Sequence, residues 1–166
     1  VMAMASKYVD TGWHAYSVAE TPTVRAFHGM TVVADHTFED APKPDMICVP
    51  GGNGTRPGMT HEPLLSYIRR TGAEAQLVTS VCTGAFLLHA TGFLEGKRAT
   101  TYWGAKKEFR ELGGNVEVID GERWVHDGNV ITAAGVSAGI DMALYVLGQL
   151  KSPEDDAKLA AFDGEV

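Results

Sequence analysis

The chain has 166 residues, 45% hydrophobic and 21% charged, which suits one soluble globular domain with a full core. A net charge of −7 argues against a nucleic-acid or anionic-membrane surface, since both need clustered Lys and Arg. The two cysteines, Cys48 and Cys82, lie in apolar strand-like runs, so no disulfide framework is expected and a reducing cytoplasm is the default compartment. No window reaches the ~18 apolar residues of a membrane span, and no signal peptide is visible.

In chain order, Val1 to Val9 is helical by composition and reads as the interior of a helix, so residues are expected in front of Val1. Trp13 to Val18 predicts a strand. Val24 to Phe27 and Met30 to Ala34 predict a hairpin around Gly29. After an acid- and proline-rich connector, Asp45 to Val49 predicts a strand buried on both faces. It runs straight into Pro50-Gly51-Gly52-Asn53-Gly54. His61 to Arg70 has helical spacing at Leu64, Leu65 and Ile68. Gln76 to Val81 is the next buried strand, and the helix after it ends near Gly92. Arg98 to Thr101 predicts a short strand, Tyr102 to Leu112 a helix stopped by Gly113-Gly114, and Val116 to Ile119 another strand. Trp124 to His126 and Val130 to Ala133 flank Asp127-Gly128-Asn129, a strong hairpin signal. Gly135 to Leu150 predicts an apolar helix, and Ser152-Pro153-Glu154 a last short one.

Buried strands alternating with helices indicate an α/β domain with a mostly parallel sheet, and no linker or repeat divides residues 1–166. The organising stretch is Leu77 to Leu88, LVTSVCTGAFLL, with Cys82 at the change from strand to helix. Thr83 and Gly84 are small, as a crowded turn requires. Such a turn holds a side chain out from the sheet end over a helix start, where a thiol is expected to lose its proton more easily. The competing reading is a small buried hydrophobe, the usual fate of a free Cys. Val49 ends in a glycine loop and Val81 ends in Cys82. If the two strands are neighbours, the N–H groups of the loop and of Thr83 face the sulfur and form an oxyanion pocket. The six histidines are scattered without metal-site spacing, and His89 lies roughly two turns beyond Cys82, too far to serve as its base. Cys48 reads as core. Asp141 reads as a helix or interface acid, and Trp103 as either a pocket wall or a core or edge aromatic.

CVPGGNG, TSVCTGAFLLHATGFLEGKRATTYW and HDGNVITAAGVSAGIDMAL together resemble the ThiJ/PfpI superfamily from about Trp13 to about Leu150. The resemblance implies a three-layer α/β sandwich with a mainly parallel central sheet, flavodoxin-like and of the class I glutamine amidotransferase type. It is nearest to the isonitrile hydratase branch and to the N-terminal domains of AraC-type regulators. It implies Cys82 as nucleophile and Thr83 as donor through amide and hydroxyl. Gly51, Gly52 and Gly84 then line the oxyanion and substrate site, with Gly52 supplying the partner amide. The family's acid, on its first strand-to-helix segment, falls before Val1, as does the first strand itself. Thr83 stands where the protease-like branch has His, and Tyr102-Trp103 where many relatives read His-Trp, so neither histidine base is present. The expected function is a cysteine-dependent hydratase converting an isonitrile to an N-substituted formamide. A small-molecule or redox sensor, or a glyoxalase- or amidase-like enzyme, is the alternative. No metal or cofactor is called for. The expected partners are a small-molecule substrate and a second copy in a homodimer, with no nucleic acid and no membrane.

Overall fold

The computed structural model describes residues 1, 13–27 and 29–149. The predicted helix over Val1 to Val9 and the predicted short helix from Ser152 lie outside them. The strands are β1 (Val18–Ala19), β2 (Thr23–Arg25), β3 (Thr31–Val33), β4 (His36–Thr37), β5 (Met46–Val49), β6 (Leu77–Val81), β7 (Lys97–Ala99), β8 (Val116–Val118), β9 (Trp124–Asp127) and β10 (Val130–Ala133). The helices are α1 (Thr55–Gly58), α2 (Glu62–Glu74), α3 (Gly84–Ala90), α4 (Lys106–Glu111) and α5 (Ser137–Gln149).

The central sheet has the order β5-β6-β10-β9. Its first three strands are parallel, and β9 joins antiparallel through the predicted Asp127-Gly128-Asn129 turn. Alternation along the strands divides the core in two. Val49, Val78 and Val130 face α2, α3 and α4 and pack with Leu65, Ile68, Phe86, Leu88 and Phe109. Ile131 and Ala133 face the other way, onto Met142 and Val146 of α5. Helices therefore cover both faces of the sheet, giving three layers, and burying a side chain such as Phe86 or Leu88 contributes about 1.5–3 kcal/mol. Three small sheets surround this centre: β1 with β4, β2 with β3, and β7 with β8.

Element types follow local chemistry. Pro63 in the first turn of α2 fixes a helical φ where no N–H partner is needed. The β2–β3 hairpin turns at Gly29, whose φ is +86°. Three expectations need correction. The strand predicted over Trp13 to Val18 shrinks to Val18–Ala19, because pairing reaches only His36–Thr37, and the preceding Ser17 N–H donates to the Asp35 carboxylate instead. The strand around Cys48 is not buried on both faces: Val49 is buried on one, while Cys48, on the other, is exposed. The helix predicted from Tyr102 opens as a 3-10 turn, Trp103–Ala105, before α4 begins. Gly104 sits in that turn, and a β-carbon there would come within 2.9 Å of the Tyr102 ring.

Candidate active site

β5 and β6 are parallel neighbours in the register Val49↔Ser80, so the glycine loop and the cysteine turn emerge side by side. Cys82 adopts φ +57°, a left-handed conformation that a non-glycine residue rarely takes. Both polar backbone groups of Cys82 are held. Its N–H donates to the Ala133 carbonyl at 2.9 Å, and its carbonyl accepts from Thr101 Oγ1 at 2.8 Å. The side chain is half-buried.

Three glycines make the turn possible. A β-carbon on Gly51 would lie 2.7 Å from Cys82 Cβ and 2.8 Å from Thr83 N. One on Gly84 would lie 2.1 Å from the Val49 carbonyl oxygen, and one on Gly135 would lie 3.0 Å from Cys82 Cβ and 3.4 Å from its sulfur. The next residue, Val136, has φ +47° and is 86% exposed, so a β-branched side chain sits in a left-handed conformation at the surface.

Thr83 is buried, and its hydroxyl faces the loop. The Gly52 N–H, expected to point at the sulfur, donates instead to Thr83 Oγ1 at 2.9 Å. The Thr83 hydroxyl reaches the Gly52 carbonyl at 3.2 Å, but Thr55 Oγ1 already donates to that oxygen at 2.8 Å. The loop and the turn are thus locked through Thr83, whose backbone nitrogen lies close to Gly51.

Arg56 follows the loop directly, and its charge was not singled out in the sequence. It lies 5.1 Å over the Phe86 ring and makes a two-pronged ion pair with Glu108, at 2.5 and 3.1 Å. Its pKa is raised first by the hydrogen bond to Glu108, opposed by burial, with the charges of Glu108 and Cys82 adding. The same bond lowers the Glu108 carboxyl. The signal for Arg56 was its position at the end of the glycine loop; for Thr101 it was the Thr-Thr pair closing the Lys97–Ala99 strand.

The other candidates sit elsewhere. Cys48 is on β5, away from the turn's chemistry. His89 packs its ring against Phe109 at 5.9 Å, His126 bonds Tyr145 at 2.9 Å, and His61 pairs with Glu20 at 2.7 Å. Asp141 pairs with Arg123, as a helix acid would. Trp103 is 76% exposed beside Tyr102, which excludes a core role. Among the described residues no three His, Cys, Asp or Glu side chains are grouped to hold a metal ion, and no helix is long and apolar enough to cross a membrane.

The profile of the DJ-1/PfpI family matches residues 2–149. An isonitrile hydratase of Pseudomonas putida is 48% identical over 122 residues, covering 74% of this chain and 52% of that protein. The HTH-type transcriptional regulator CdhR of Pseudomonas aeruginosa is 32% identical, covering 86% of this chain and 41% of the regulator. The chain therefore spans about half the length of these relatives. Among solved structures, a ThiJ/PfpI family protein from Pseudomonas syringae superposes with a TM-score of 0.77 at 31% identity, over 91% of this chain and 63% of that one.

Proposed function

The chain belongs to the DJ-1/PfpI family, and on that premise we propose that it is a cysteine-dependent hydratase acting on isonitriles. The observation that carries this reading is Cys82 held in its left-handed turn against Gly51, with Thr83 buried beside it. The hydratase relative at 48% identity supports the substrate class.

The Cys82 thiolate attacks the terminal carbon of R–N≡C, forming a C–S bond. A proton taken up at that carbon gives the thioimidate R–N=CH–S. Water adds to the same carbon, the nitrogen is protonated, and the C–S bond breaks to release the thiol and R–NH–CHO. Charge develops first on the terminal carbon, which takes up the proton, and then on oxygen as the water adduct collapses, beside the backbone nitrogen of Thr83. The Thr83 hydroxyl accepts from the Gly52 N–H and donates to the Gly52 carbonyl, so it fixes the loop beside the sulfur. Both proton transfers call for a general acid–base group beside the sulfur. Homodimerisation belongs to the same proposal.

The test follows loss of isonitrile and appearance of formamide, on the chain with any residues that natively precede Val1 in place. Cys82→Ser is expected to abolish turnover and keep the fold, because among the described residues no histidine is placed to activate a hydroxyl. Wild type inert toward every alkyl and aryl isonitrile sinks the hydratase reading. Stoichiometric oxidation of Cys82 by low peroxide in that inert protein would favour the sensor reading suggested by the regulator relative.

A further inference from the structure

Thr101 has no exposed surface, and its hydroxyl donates to the Cys82 carbonyl at 2.8 Å. Its neighbour is anchored independently: the Thr100 N–H donates to Thr132 Oγ1 at 2.8 Å, and Thr100 Oγ1 donates to the Ile119 carbonyl at 3.3 Å. Thr132 lies on β10 directly beside Ser80 of β6, one strand position before Ala133, which accepts from the Cys82 N–H. The Thr100-Thr101 pair is therefore bolted to β10 at one residue and to the turn at the next.

The peptide unit joining Cys82 to Thr83 is planar, and its C=O and N–H point in opposite directions. Fixing the oxygen on the Thr101 side aims the Thr83 N–H at the other side. The glycine loop packs close to that amide: a β-carbon on Gly51 would lie 2.8 Å from Thr83 N.

We propose that Thr101 is the positioning residue of the cysteine turn: by holding the Cys82 carbonyl it keeps the Thr83 amide aimed into the space between sulfur and loop. This rests on the reading of Cys82 as nucleophile and Thr83 as donor. Thr101 acts through Cys82 and meets no reacting atom itself. Without its hydroxyl, the part-buried carbonyl loses its donor, which is costly. Rotation of the peptide plane restores a partner and carries the Thr83 N–H away from the sulfur.

The experiment compares Thr101→Val and Thr101→Ser in a Cys48→Ser background, where Cys82 is the one remaining thiol. Two readouts are taken: kcat and KM for an isonitrile, and the pH profile of alkylation by iodoacetamide. The valine variant is expected to lose about tenfold in kcat with KM nearly unchanged, the effect of one hydrogen bond. Its alkylation midpoint should move to higher pH, because a donor to the thiolate has turned away. Serine restores both. A folded valine variant that matches wild type in its alkylation profile overturns the assignment, and so does a serine variant that behaves like valine. If wild type hydrates no isonitrile, the hydratase reading falls, and the alkylation profiles still decide the role of Thr101. If valine prevents folding, Thr101→Ala is measured in the same way and held to the same outcomes.

Discussion

A single methyl group separates the glycines around Cys82 into two kinds. At Gly84 the added carbon would sit 2.1 Å from the Val49 carbonyl oxygen, a backbone atom of the central sheet with nowhere to go. Gly84→Ala is expected to cost about 3 kcal/mol or more, at the top of the range for overpacking, read as a lowered urea midpoint. Gly52 has open space around it but φ +133°. Gly52→Ala is strained by conformation alone, by about 1–3 kcal/mol, and it also disturbs the amide that holds Thr83. Its expected signature is a fall in kcat larger than its effect on the urea midpoint explains.

At the scale of elements, β1 is held by a side chain as much as by its ladder. Ser17 donates to the Asp35 carboxylate from both N–H and hydroxyl, each at 2.7 Å. These bonds, the N–H first, keep the Asp35 carboxyl below its usual range. A depressed folded pKa contributes stability that is complete above the unfolded value near ~3.9 and is lost as pH falls through the folded value. Asp35→Asn should therefore lower the melting temperature at neutral pH, and the gap to wild type should close as the pH drops below about 4. The strand-and-helix alternation was legible because burial follows periodicity: β6, α2, the β9–β10 hairpin and α5 all lie within a few residues of their predicted spans. The turn at Cys82 was legible from Thr83 and Gly84. Partners 19 or more residues away were not. Neither the Thr101 hydroxyl on the Cys82 carbonyl nor the Gly52 amide on Thr83 leaves a periodic trace, because each depends on which strand ends become neighbours. The exposure of Cys48 was missed for a related reason, since an apolar run does not say what covers each face of its strand.

Over the whole molecule, two apolar layers flank one sheet, and β6 belongs to both. Leu88 is fully buried in the α2–α3–α4 layer. Leu88→Ala is expected to cost about 2–5 kcal/mol, with far-ultraviolet dichroism and the burial of Trp124 on the opposite face lost in one transition, because the sheet links the layers. The proposed twofold dimer is tested by sedimentation velocity; a species of monomer mass alone at micromolar concentration counts against it.

Val136 offers a different kind of leverage. It combines φ +47° with a β-branched side chain that faces solvent, one residue beyond Gly135, where a β-carbon would crowd Cys82. Nothing packed holds the side chain there, so the conformation is imposed by the chain on either side, at a standing cost of about 1–2 kcal/mol. Val136→Gly or Val136→Asn removes that cost without emptying any core. Either variant should melt at a higher temperature than wild type. Thermal tolerance can thus be raised from one solvent-facing position, beside a glycine whose lack of a side chain leaves room for Cys82.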